Sequence, residues 1–208
     1  TQKGINPSLK DALLYRIKIG GIQGIPALKK EKWRIKGASI AISLNKDVES
    51  PFNGLINISG KRLQGKPIQL NSFVSSLEKL LRDENFSSLS NEEQLRFMKT
   101  FWIVLRKILP KTLELETSKE YMVLKALGLH SINWVALDIL KKFISEDIDY
   151  NNEEVLTKML GPLENFDWTT QTSPLSKLGG MKGVTEAHRI LMEALNFEFR
   201  ENRIHSIV

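Results

Sequence analysis

The run Ser90-Asn91-Glu92-Glu93-Gln94-Leu95, continuing through Met98, Trp102, Leu105 and Leu109 to Pro110, decides the fold. Ser90 and Glu93 stand in the register of a capping box, in which the serine hydroxyl takes the Glu93 amide and the Glu93 carboxylate returns to the Ser90 amide. Leu95, Met98, Trp102, Leu105 and Leu109 then recur at alternating steps of three and four, which makes one apolar stripe along a helix that Pro110 terminates. Such a stripe needs other elements to cover it. Downstream, the pattern predicts a helix over Ser118 to Leu127, closed by Gly128. A second follows over Ser131 to about Ser145, with Ile132, Val135, Ile139 and Phe143 on its inner face. Asn152 to Leu160 reads as a short helix before Gly161-Pro162, and Val184 to Leu195 as the last.

Working upstream, Asn71 or Ser72 caps a helix whose Phe73, Leu77 and Leu80 or Leu81 share a face and which ends near Asp83. Before it lies the one β signal: Leu55-Ile56-Asn57-Ile58 and Pro67-Ile68-Gln69-Leu70 flank a turn-rich stretch and predict a small hairpin. Ala27 to Leu44 reads as a helix weakened by Gly37, and residues 45–54 as a loop. The three glycines and one proline between Gly20 and Pro26 read as a connector. Ahead of them Ser8 caps a helix carrying Leu9, Leu13, Leu14 and Ile17, with Pro7 just outside. The expected fold is α+β and mainly α-helical, a helical bundle whose hairpin is the edge of a sheet completed by residues upstream. Residues 1–208 form a single domain in this reading: 1–83 helices plus hairpin, 84–160 the bundle, 161–208 a glycine-rich loop and terminal helix.

Composition bounds the chemistry. An apolar fraction of 41% and a charged fraction of 26% are those of a folded globular chain. The net charge of +6 favours an anionic partner. Cysteine is absent, which excludes disulfides, thiolate metal sites and thiol nucleophiles. No apolar run approaches the roughly 20 residues that span a bilayer, and the first residues lack a signal-peptide layout, so a cytoplasmic location is expected.

The most informative segment for function is Asp167 to Arg189. Here Lys177, Gly179, Gly180, Lys182 and Gly183 meet a helix start. Free amides at a helix N-terminus and the helix dipole favour an anion, and glycine admits a phosphate close to the backbone. The spacing Gly180-Met181-Lys182-Gly183 also fits a Gly-x-x-Gly clamp on a nucleic-acid backbone; a tight turn into the helix is the other reading. Trp168, in a polar loop ahead of the glycines, is a candidate base contact, whereas Trp102 and Trp134 belong to the core. Lys61, Arg62 and Lys66 at the hairpin tip are candidate phosphate contacts, or ordinary solvated loop cations. The run Lys29 to Lys36, five cations around Trp33, admits the same two readings. His130, His188 and His205 lack metal-ligand spacing, and His188 reads as a surface residue. No Walker loop, dinucleotide fingerprint or nucleophile elbow occurs, and neither a cofactor nor a metal is expected.

Three ordered stretches resemble the back half of the DGQHR-domain family, which contains regulators of DNA phosphorothioation systems and other proteins of mobile-element defence islands. Thr1-Gln2-Lys3-Gly4-Ile5-Asn6-Pro7-Ser8-Leu9 is similar to the segment after that family's signature strand. Leu44 to Ile56, centred on Ser50-Pro51-Phe52-Asn53-Gly54, is similar to the loop leading into its hairpin, and Leu178-Gly179-Gly180-Met181-Lys182-Gly183-Val184 to its terminal glycine motif. The resemblance implies a fold related to the ParB and sulfiredoxin group. The Asp-Gly-Gln-His-Arg motif itself occurs nowhere in the chain, so it is expected upstream, with Thr1 an internal residue of a longer parent, and no catalytic residue carries over. The function expected is sequence-independent DNA binding or regulation in a DNA-modification or defence system. The rivals are part of a nuclease or nucleotide hydrolase with its catalytic residues upstream, and a protein-interaction module docking through the Leu95 to Leu109 stripe.

Overall fold

A computed structural model describes residues 6–21, 31–59 and 65–197. The fold is α+β and mainly helical. In chain order come α1 (Pro7–Ile19), α2 (Lys32–Lys46), the strands β1 (Ile56–Asn57) and β2 (Ile68–Gln69), and the short helices α3 (Leu70–Ser76), α4 (Glu78–Arg82) and α5 (Glu84–Ser87). The long helix α6 (Asn91–Ile108), a turn of helix α7 (Pro110–Leu113), α8 (Ala126–Ser145), α9 (Glu153–Leu160) and α10 (Gly180–Ala194) complete it, with 3₁₀ turns at Ser118–Glu120 and Gly161–Asn165. Among the described residues no helix is long and apolar enough to cross a membrane.

Helix α6 forms as its sequence predicts. The Ser90 hydroxyl accepts from the Glu93 amide at 3.2 Å, and Glu93 accepts from the Ser90 amide at 2.7 Å. These bonds, with one from the Tyr150 hydroxyl, hold the Glu93 carboxyl below the usual carboxylate range. Met98, Trp102, Leu105 and Leu109 are buried, as are Phe97, Phe101 and Val104 beside them. Trp102 meets Phe52 edge-to-face with ring centroids 4.8 Å apart, and Phe52 meets Phe73 in the same way. The indole nitrogen of Trp102 donates to Asn133 Oδ1 at 3.1 Å, Asn133 donates to the Ser76 hydroxyl at 2.8 Å, and Ser76 donates to the Phe73 carbonyl at 2.7 Å. This polar chain ties α6, α8 and α3 together, and every side-chain group in it that is shut away from water has a partner.

Several expectations are corrected. The β element is not a hairpin: the strands run parallel, Ile56 beside Ile68 and Asn57 beside Gln69. Residue 69 is followed at once by α3, which packs against both strands, so β2 takes the direction that delivers its chain to that helix. Two short alternating segments look alike read in either direction, and only the docking of α3 chooses. The Asn45 side chain accepts from the Ile56 amide at 2.8 Å and seats β1 against the end of α2.

Gly128 does not close a helix. Ser118–Glu120 is a 3₁₀ turn, Tyr121 then pairs antiparallel with Thr169, and α8 starts at Ala126 and runs through Gly128. A Cβ on Gly128 would lie 2.1 Å from the Met122 carbonyl oxygen, so the glycine permits the chain to turn tightly back over its own preceding loop. Gly37 likewise sits inside α2, where a Cβ would come within 3.1 Å of Val74 and 3.2 Å of Leu81. The helix expected over 71–83 is interrupted at Leu77, and Asp83 caps α5 through the Asn85 amide.

In α1 the cap is Asn6, not Ser8, with Pro7 as first helical residue. Half of its expected apolar set points outward: Leu9 and Leu13 are 39% and 38% exposed, while Leu14 is buried together with Ser8, Asp11 and Ala12. Asp11 accounts for this rotation. It accepts from Arg34 Nε at 2.8 Å and Nη2 at 2.7 Å in a two-pronged pair that locks α1 onto α2.

Candidate phosphate site at the start of α10

The polar loop ahead of α10 is built from local side-chain bonds. Asp167 accepts from the Thr169 amide at 2.9 Å, the Thr169 hydroxyl at 2.8 Å and the Thr172 hydroxyl at 2.6 Å. The Thr172 bond does most to hold the Asp167 carboxyl below its usual range. Trp168, expected as a ligand contact, is instead a core residue, 3% exposed, with its indole nitrogen donating to the Leu163 carbonyl at 3.0 Å. Its backbone lies in the short pairing with the 121–122 segment, where the Met122 amide donates to the Trp168 carbonyl at 2.7 Å. That pairing turns the indole inward. Leu175, fully buried, pins the next turn.

Beyond this anchor the glycines open α10. Gly179 is extended, Gly180 takes φ +62°, and the Gly183 amide donates to the Gly179 carbonyl at 3.1 Å. The amides of Gly180, Met181 and Lys182 therefore lie ahead of the first helical bond, in the position of open donors at a helix start. A Cβ on Gly179 or Gly180 would meet nothing within 4 Å, whereas one on Gly183 would lie 3.1 Å from the Leu178 backbone and 3.4 Å from Leu127. The glycines thus divide: Gly183 is needed for close packing, Gly180 for its positive φ, and the Gly179–Gly180 edge faces open space. Lys177 and Lys182 are exposed on either side, and among the described residues neither has a carboxylate within 4.0 Å.

The other predicted contacts are placed elsewhere. Lys66 is half-buried on the segment leading into β2, whereas α10 packs on α8 and on the 161–165 turn. Lys61 and Arg62 lie outside the described residues, as do Lys29 and Lys30.

Two features escaped the sequence reading. His188 is not a surface residue: it is 7% exposed, 2.7 Å from Asp138 on α8 and edge-on to Trp134 at 5.7 Å. This contact, with buried Ala187, Leu191 and Met192, clamps α10 to α8. Its partner is 50 residues away in sequence, which no local spacing reveals. Glu186, two residues earlier, instead pairs with Arg189, and that carboxylate together with Glu193 raises the Arg189 guanidinium further above its usual range. Second, Trp134 is half-buried rather than interior, and the Lys79 ammonium stands 4.0 Å from its ring centroid.

No protein-family model, no curated protein and no solved structure matches the chain significantly.

Proposed function

We propose that this chain is a sequence-independent DNA-binding or regulatory domain of a DNA-modification or defence system, and that it seats a backbone phosphate at the start of α10. The observation that carries this reading is the exposed Gly179–Gly180 edge, with open amides at the helix start, the helix dipole, and exposed Lys177 and Lys182 close by in sequence, neither of them ion-paired among the described residues. The net charge of +6 agrees with an anionic partner, and the resemblance of residues 178–184 to a glycine motif of DNA-associated proteins supplies the kind of anion. Helix α6 supports no competing docking role, because its apolar stripe is consumed inside the fold.

The test is duplex-DNA binding followed by fluorescence anisotropy across a salt series. Unmodified duplexes of unrelated sequence should bind alike, with affinity falling steeply as salt rises. Replacing Lys177 and Lys182 together with alanine should weaken binding uniformly and reduce the salt slope by about two. An unchanged slope and affinity in that double variant would rule out the α10 seat.

A further inference from the structure

The two half-buried tryptophans are joined by one short helix. On α2, Trp33 has the Arg34 guanidinium 5.1 Å and the Arg82 guanidinium 5.3 Å from its ring centroid. On α8, Trp134 has Lys79 above it at 4.0 Å. Lys79 and Arg82 are three apart on α4 and therefore neighbours on its surface. Trp33, Arg82, Lys79 and Trp134 thus form a continuous row across α2, α4 and α8, in which aromatic rings and cations alternate. Lys36, one helical turn from Trp33, extends the row.

The acids of this face are already engaged. Glu31 pairs with Lys10 at 3.0 Å, Glu78 with Arg82 at 2.9 Å, Asp83 with Lys141 at 2.6 Å and Asp138 with His188 at 2.7 Å. Among the described residues no carboxylate lies within 4.0 Å of Lys36 or Lys79, and residues 22–30, which precede α2, contain neither Asp nor Glu. Lys36 is half-buried, while Lys79 is exposed but holds its ammonium against the Trp134 ring, and this partial desolvation lowers each below the usual lysine range. A cation that is partly desolvated and lacks a fixed anion is completed by an anion from outside. Half-buried indoles spaced between such cations suit a partner carrying planar apolar rings along an anionic backbone. In a duplex those rings are stacked on each other, so only an unpaired strand offers both.

From this row we infer that the α2–α4–α8 face is a second nucleic-acid surface, one that binds single-stranded DNA by stacking bases on Trp33 and Trp134 while Lys36 and Lys79 take phosphates. This rests on the nucleic-acid reading of the chain but not on the α10 seat.

The chain's four tryptophans make the experiment direct, because Trp102 and Trp168 are buried and only Trp33 and Trp134 reach solvent among the four. An oligo(dT) of about 16 nucleotides should quench the intrinsic fluorescence at low salt. Trp33→Ala and Trp134→Ala should each weaken oligo(dT) binding about tenfold, measured by anisotropy of labelled oligonucleotide. Lys36→Gln/Lys79→Gln, which leaves both rings in place, should weaken it comparably, and circular dichroism melts identify any variant that has lost its fold. Lys177→Ala/Lys182→Ala should retain the quenching, so a failed α10 seat and a failed stacking face give different results. Absence of quenching by oligo(dT), full affinity in the folded variants, or equal quenching by poly-glutamate would each overturn the inference.

Discussion

Helices α1 and α6 carry apolar residues at the same helical spacing, yet α6 turns its set inward while α1 leaves two of its four, Leu9 and Leu13, in solvent. In α6 the stripe is wide, flanked by Phe97, Phe101 and Val104, and burying any other face would expose several large side chains at once. In α1 the set is Leu9, Leu13, Leu14 and Ile17, of which only Leu14 is buried, and against it stands one carboxylate with a guanidinium partner. Removing two leucines from water is worth roughly 3–6 kcal/mol at full burial, and less where the groove is shallow. A bidentate charged pair held in the helix interface offsets much of that where the groove is shallow, because breaking it strands a charge, and it also fixes orientation. Periodicity therefore decides a helix's buried face when the apolar set is large. When it is small, a single buried ion pair can rotate the helix.

The comparison can be broken at its strong end first. Trp102→Ala removes the ring that α6 packs on Phe52 and leaves Asn133 without its donor; a loss of about 4–5 kcal/mol is expected in urea denaturation, with a large drop in melting temperature. At the weak end, Asp11→Ala strands the Arg34 guanidinium, which is itself partly solvated, and should cost about 2–3 kcal/mol by the same measurement. If the variant loses less than about 0.5 kcal/mol, the ion pair does not orient α1. Leu13→Ser gives the smallest effect, within about 0.5 kcal/mol of the parent, because that side chain already meets water. A loss as large as that of Trp102→Ala would show that the outward face of α1 is covered in solution.

The same contrast explains which parts of the candidate sites were legible. The glycine segment was readable because positive φ, close packing and a helix start leave local marks, as Gly180 and Gly183 illustrate. The role of Trp168 was not, since a polar sequence context says nothing of the carbonyl of Leu163 that receives its indole. His188 was misread for a similar reason: its neighbours in sequence are charged, but its partner Asp138 arrives from another helix. The row through Trp33 and Trp134 is of both kinds: Trp33 and Lys36 stand in one basic run of sequence, but Lys79 and Trp134 come from two other helices and join them only through α4.

By itself the sequence determined what is local: the Ser90 capping box, the buried stripe of α6, the short helix ending at Leu160, and a mainly helical chain without cysteine chemistry. Hydrogen bonds three residues apart and side chains one turn apart form within any copy of the segment, so their pattern is written in it. Only the tertiary structure decided the parallel direction of the strands, the outward face of α1, the helix running through Gly128, and which tryptophans reach solvent. Each of those turns on a partner supplied from elsewhere in the fold or on how the chain doubles back, and neither is encoded in the spacing of the residues that respond to it.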